Sequence, residues 1–175
     1  MPATLEVMIA AEEIQRRVRE MGREIDADYP EGPIYLLSIL KGSFMFLADL
    51  ARAIERHSVR IEFMGISSYG RDKTSSGQVR VTKDLDVSLE GHHVLIVEDI
   101  VDSGVTLTYL TRVLEQRKPA SLRIATLLDK PERRISPVQI TYTGFQIPDR
   151  FVVGYGLDYA EDYRNLPSIC VLTGE

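Results

Sequence analysis

The chain has 175 residues, 44% of them hydrophobic and 27% charged, the balance of one ordinary globular domain that buries its own core rather than of a disordered or fibrous chain. Its 21 basic and 26 acidic residues leave a net charge of −5, so bulk charge attracts neither nucleic acid nor an anionic membrane, and any affinity for phosphate has to come from local donors, a helix end or a metal. The single cysteine, Cys170, excludes an intrachain disulfide and sits in the apolar run 169–172 as a small buried hydrophobe, while no stretch approaches the roughly 20 apolar residues of a membrane span or reads as a secretory leader, so the cytoplasm is the expected location.

Along the chain, Ile14, Val18, Met21 and Ile25 recur at helical spacing and predict an amphipathic helix over 10–27. Tyr29, Pro30, Glu31, Gly32 and Pro33 stop it, because proline lacks the amide a helix needs. The continuous apolar run IYLLSIL, 34–40, predicts a strand covered on both faces; Lys41, Gly42 and Ser43 end it, and Leu47, Leu50, Ala51 and Ile54 trace a second helix. A strand is predicted over 60–69, a stronger one over 92–100, and a helix over 104–118 with Leu107, Leu110 and Leu114 on one face and Pro119 beyond its end. Two further strands are expected at 122–130 and 150–155, and a short one at 169–173. Strands alternating with helices predict an α/β fold, a central mostly parallel sheet flanked on both sides by helices. The polar stretch 69–86, with Val79 and Val81 marking its return, reads as a surface hairpin or as a lid over a site.

The densest chemistry lies in VLIVEDIVDSGVTL, 94–107. Four apolar residues run into the adjacent carboxylates Glu98 and Asp99, and Asp102, Ser103, Gly104, Val105 and Thr106 then turn the chain into a helix. Ligands of open parallel sheets bind beyond the carboxyl ends of the strands, and the free amides and dipole of a helix start form an anion site without a basic side chain. Taken alone, Asp102 or Ser103 is an ordinary helix cap. Capping leaves the two acids unexplained: adjacent carboxylates after a buried strand must be solvated, hydrogen-bonded or neutralised, and they suit the two hydroxyls of a ribose or a Mg²⁺ bound through the substrate. Lys41, Gly42 and Ser43 repeat the strand–turn–helix logic and offer a second anion clamp, although LKGS by itself is a simple turn.

At this point the sequence resembles a known family. VLIVEDIVDSGVTL is similar to the phosphoribosyl diphosphate motif of the type I phosphoribosyltransferases, and LLSILKGSFMFLADL (36–50), ISSYGRDKTSSG (66–77), LLDKPERR (127–134) and IPDRFVVGYGLDYAEDYRNLP (147–167) extend the resemblance to their 6-oxopurine branch, the hypoxanthine-guanine phosphoribosyltransferases, over nearly the whole chain. The resemblance implies Mg²⁺-dependent transfer of a phosphoribosyl group from phosphoribosyl diphosphate to N9 of hypoxanthine or guanine. It implies that Glu98 and Asp99 contact the ribose hydroxyls and, with Asp158, the metal. Residues 102–106 would hold the 5'-phosphate, with Asp102 as general base or charge partner for purine N7. Leu40, Lys41, Gly42 and Arg164 would meet the pyrophosphate, the Leu40–Lys41 bond being commonly cis in the family. Ser68 and Tyr69 would open a flexible loop, about 68–80, that closes over the reacting centre. Lys130, more simply an edge lysine, would read the purine O6; Phe151, more simply a core residue, would stack on the base, and Val152 and Asp158 would lie at its edge.

The implied organisation is a single domain over 1–175, with a core of about 34–155 and a small hood from 1–33 and 156–175, assembled as a homodimer or homotetramer. Two positions depart from the family pattern: Val105 stands where mammalian members carry a lysine, which makes the chain resemble the compact bacterial form, and Asp129 stands where others often have valine. A xanthine-preferring transferase would keep the same sugar site and change contacts at purine C2. An RNA-binding regulator on the same fold would need a basic face, and the charge of −5 argues against it.

Overall fold

Alternate side chains of one continuous apolar strand enter two different cores. Strand β2 (Ile34–Leu40) sends Ile34 and Leu36 into one hydrophobic cluster and Tyr35, Leu37 and Ile39 into another, because successive side chains of a strand point to opposite faces. Strand β5 (His93–Val101) does the same, with Leu95 and Val97 on the first side and Val94 and Ile96 on the second. Both strands are therefore interior, and the computed structural model, which describes residues 4–56, 58–68 and 79–174, shows what covers them.

In chain order the elements are β1 (Thr4–Ile9), α1 (Ala11–Asp28), β2, α2 (Phe44–Ala53), β3 (Val59–Ser68), β4 (Val79–Lys83), β5, α3 (Val105–Glu115), β6 (Ser121–Asp129), β7 (Tyr142–Gln146), β8 (Val152–Val153) and β9 (Ile169–Thr173). Six of the strands form a sheet of order β4-β3-β2-β5-β6-β7, parallel except for the antiparallel edge strand β4. Helices α1 and α2 cover one face through Ile14, Val18, Met21, Ile25, Phe46, Leu47 and Leu50; α3 covers the other through Leu107, Leu110 and Leu114. Among the described residues no helix is long and apolar enough to cross a membrane.

Three features differ from the sequence reading. The sixth strand of the main sheet is β7, not the segment at 150–155; its polar Thr143 and its Gly144 interrupt the apolar run, and Gly144 is required because a Cβ there would stand 2.5 Å from the Leu127 carbonyl. Arg17 of α1 donates to the Thr143 and Gly144 carbonyls at 2.7 and 3.1 Å, satisfying this outer edge with a helix side chain. The two residues of β8 instead join β9, and β9 pairs with β1, in a separate three-stranded antiparallel sheet of order β1-β9-β8 that ties the two chain ends together. Strand β1, mostly exposed with only Ile9 fully buried, carries too little hydrophobic patterning to be predicted.

Between the two sheets runs Gly154, Tyr155 and Gly156, all with positive φ (99°, 50° and 100°). A Cβ at Gly156 would lie 2.1 Å from the Gly42 carbonyl, so this crossing segment is packed directly on the loop after β2. The Tyr155 hydroxyl donates to Asp49, which also accepts from Gln15 of α1 at 2.8 Å and pairs with Arg52 of α2.

Candidate active site

The strand order puts the carboxyl ends of β2, β5 and β6 side by side, which is where the residues singled out by the sequence emerge. After β5 the chain turns at Asp102, Ser103 and Gly104 into α3, and Gly104, at φ 80°, is the N-cap. The capping reading is thereby corrected. A glycine has no side chain to occupy the first amides; Ser103 Oγ is 3.4 Å from the Val105 amide, at the outer limit of a hydrogen bond, and the Asp102 carboxylate turns away to accept from Arg133 Nε at 2.7 Å. A cavity of about 220 Å³ opens against this turn, lined by Glu98, Asp102, Ser103, Gly104 and Thr106 with Ile39 and Ile66. A larger one, about 650 Å³, lies elsewhere, between α3 and residues 137–141, and contains none of the predicted site residues.

Glu98 and Asp99 retain partial exposure, yet protein surrounds their carboxyl groups closely. Burial pushes Glu98 well above the ordinary carboxylate range and its neighbour Asp99 adds to the shift. Asp99 is raised by burial as well; the Ile100 amide, donating to Oδ1 at 2.8 Å, and the charge of Arg164 oppose that, while Asp158 reinforces it. Gly42 is what admits the Asp99 side chain, since a Cβ at 42 would sit 1.9 Å from Asp99 Oδ2.

The loop after β2 begins with a cis Leu40–Lys41 peptide. Lys41 Nζ reaches Glu161 Oε2 at 2.8 Å, and Arg164 holds Glu161 Oε1 at 3.2 Å and Asp158 Oδ1 at 3.1 Å while donating to the Gly156 carbonyl at 2.8 Å. At the end of β6, Lys130 is buried rather than a solvated edge residue; its amide donates to the Val101 carbonyl at 2.9 Å, and its Nζ lies 3.6 Å from Asp149 Oδ1. Phe151, conversely, is no core residue: it is 53% exposed and meets Tyr159 edge-on, with ring centroids 5.8 Å apart. Val152 is buried in β8. Ser68 ends β3 opposite Val79, and Tyr69 with most of the expected flexible loop lies outside the described residues.

With this geometry in view, residues 8–160 match a defined family, the phosphoribosyl transferase domain. The chain belongs to the phosphoribosyl transferase family. It is 49% identical over 166 residues to the hypoxanthine-guanine phosphoribosyltransferase of Bacillus subtilis, covering 95% of this chain and 92% of that protein. A crystal structure of a hypoxanthine-guanine phosphoribosyltransferase from Bacillus anthracis, with a HEPES molecule in the active site, superimposes with a TM-score of 0.92 at 46% identity, over 96% of this chain and 98% of that one. A hypoxanthine phosphoribosyltransferase from Staphylococcus aureus also gives 0.92, at 48% identity over 96% and 91% of the two chains.

In this phosphoribosyltransferase the fold brings Lys41, Gly42, Asp99, Asp158 and Arg164 into one contact network and Asp102, Arg133, Asp149 and Lys130 into a second. Sequence reasoning passed over Glu161, Arg133, Arg134 and Asp149. Glu161 reaches Lys41 across 120 positions, a pairing no local pattern encodes. The arginines stand within the quoted run LLDKPERR, where their charge marks them, and the turn Pro131–Arg133 brings both to Asp102. Asp129 now has a partner: its Oδ1 holds Arg134 Nη2.

Proposed function

We propose that this enzyme transfers the 5-phosphoribosyl group of phosphoribosyl diphosphate to N9 of hypoxanthine or guanine, releasing pyrophosphate and forming IMP or GMP in purine salvage. The observation that carries the reading is the glycine-capped turn 102–106, whose first amides carry no strong side-chain cap, next to the paired acids Glu98 and Asp99. In this reading the amides around Ser103, Gly104, Val105 and Thr106 hold the 5'-phosphate, and Glu98 and Asp99 accept from the ribose hydroxyls. Leu40, Lys41, Gly42 and Arg164 hold the pyrophosphate, the guanidinium matching the geometry of phosphate oxygens.

Cleavage at C1' develops positive charge on the sugar and negative charge on the leaving group, so anions beside the ring and cations beside the pyrophosphate lower the barrier. Asp102 takes or balances the proton at N7 as N9 bonds to C1'. Lys130 donates to O6, which a 6-amino purine cannot reciprocate; Phe151 packs on the ring face, and Val152 and Asp158 lie at its edge. Ser68 and Tyr69 lead into the segment that excludes water from the electrophilic sugar. Among the described residues no three acidic, histidine or cysteine side chains gather into a metal cage. Glu98 and Asp99, both raised by burial, fit instead a Mg²⁺ that takes its remaining ligands from substrate and water, with Asp158 nearby, and when bound that ion supplies Lewis-acid stabilisation to the leaving group. In the same reading residues 1–175 form a catalytic core with a terminal hood, and the enzyme works in the cytoplasm on small-molecule substrates rather than on membrane or nucleic acid and assembles as a homodimer or homotetramer.

The test is nucleotide formation from hypoxanthine, guanine, xanthine and adenine with phosphoribosyl diphosphate and Mg²⁺. Product from the first two is expected. Activity on adenine alone overturns the role of Lys130, and no product from any base overturns the function.

A further inference from the structure

We infer that Asp129 and Arg134 are a positioning pair that aims the amides of the phosphate loop, an inference that rests on reading 102–106 as the 5'-phosphate site. A trans peptide is planar, with its carbonyl and its N–H pointing in opposite directions, so anchoring a carbonyl also sets the direction of the amide that follows it. Two consecutive carbonyls of the turn are anchored from one side. Arg134 Nε donates to the Asp102 carbonyl at 3.2 Å, and the Ile135 and Ser136 amides donate to the Ser103 carbonyl at 2.9 and 3.0 Å. The amides of Ser103 and Gly104 belong to those same two peptide planes and are turned to the opposite side.

Arg134 can serve as an anchor because it is itself held. Its Nη2 is bonded to Asp129 Oδ1, and Asp129 is only 6% exposed at the end of β6, where its own carbonyl accepts from the Ile147 amide at 2.9 Å. The stem of Arg134 packs where Gly104 lacks a side chain: a Cβ there would be 2.9 Å from Arg134 Cδ. The adjacent bond from Arg133 to the Asp102 carboxylate joins two half-exposed side chains and leaves the backbone free to turn, so it does not do the same job. Neither Asp129 nor Arg134 is assigned a contact with substrate; both act through the backbone of 102–104.

The variant Arg134→Lys keeps a cation opposite Asp129 and removes the fork that bonds Asp129 and the Asp102 carbonyl together. Calorimetric titration of the intact protein with ribose 5-phosphate, and separately with pyrophosphate, reads the two ends of the site. Ribose 5-phosphate affinity is expected to fall about 10-fold or more, with pyrophosphate affinity within about 2-fold of the parent, because only the loop amides lose their aim. KM for phosphoribosyl diphosphate should rise with kcat largely kept. Asp129→Asn, which retains an acceptor oxygen and loses the charge, should show a smaller loss of the same kind, and it carries the same comparison should the lysine variant not fold. Unchanged ribose 5-phosphate affinity, or equal losses for both ligands, overturns the inference. A parent protein that does not bind ribose 5-phosphate at all refutes instead the phosphate-site reading beneath it.

Discussion

Lys41 and Arg164, the two cations assigned to pyrophosphate, both hold the carboxylate of Glu161, so an incoming diphosphate exchanges one anion for another. Lys41, and after it Arg164, keep the Glu161 carboxyl below the ordinary carboxylate range; the contact therefore persists through neutral pH and is lost only as the group protonates in acid. Both cations are occupied by Glu161 before the ligand arrives, so Glu161→Gln should tighten pyrophosphate binding about 2- to 5-fold at neutral pH, read by calorimetry; weaker binding would mean that Glu161 supports the two cations rather than competing for them. Asp102 has a different proposed role, in which its charge acts on the reacting base. Asp102→Asn should lower kcat about 100-fold or more across neutral pH while leaving the KM for phosphoribosyl diphosphate within a few-fold, and wild-type turnover in that variant would remove Asp102 from the chemistry.

Strands β2 and β5 could be read from residues alone because their burial on both faces leaves a continuous apolar run, and α1 and α3 because their apolar stripes recur at helical spacing. The same double burial makes a sharp prediction: Leu36→Ala and Leu37→Ala, neighbours in sequence that enter opposite cores, should each cost about 2–5 kcal/mol in urea unfolding, whereas a one-sided strand would tolerate one of the two. What escaped the sequence was settled by tertiary partners. Strand β7 owes its place to Arg17 and to the close approach of Leu127 to Gly144, and the two-residue strand β8 exists only because β9 lies beside it. The acids and the turn 102–106 were visible for the opposite reason, since they are packed into one stretch of chain, while the bonds from Arg133 and Arg134 to Asp102 span 31 and 32 positions and that from Lys41 to Glu161 spans 120.

At the scale of the molecule, two sheets share one seam, and Asp49 is its tie point, receiving Tyr155 from the crossing segment, Gln15 from α1 and Arg52 from α2. Tyr155→Phe removes the hydroxyl that the crossing segment contributes to that group. A loss of about 1–2 kcal/mol in unfolding free energy is expected, together with weaker pyrophosphate binding, because Gly156 next to it braces the loop that carries Lys41; a stability loss with unchanged pyrophosphate affinity would uncouple the two. The same seam has a consequence for anyone reading mutational data. Gly156 stacks on Gly42, and Gly42 makes room for Asp99, so three positions from distant parts of the chain occupy what is in effect one slot. A methyl group added at position 42 evicts the Asp99 carboxylate, and loss of activity there reports on an amino acid 57 places away. Tolerance maps of this enzyme will show glycine at 42 as indispensable for reasons that belong to its neighbour.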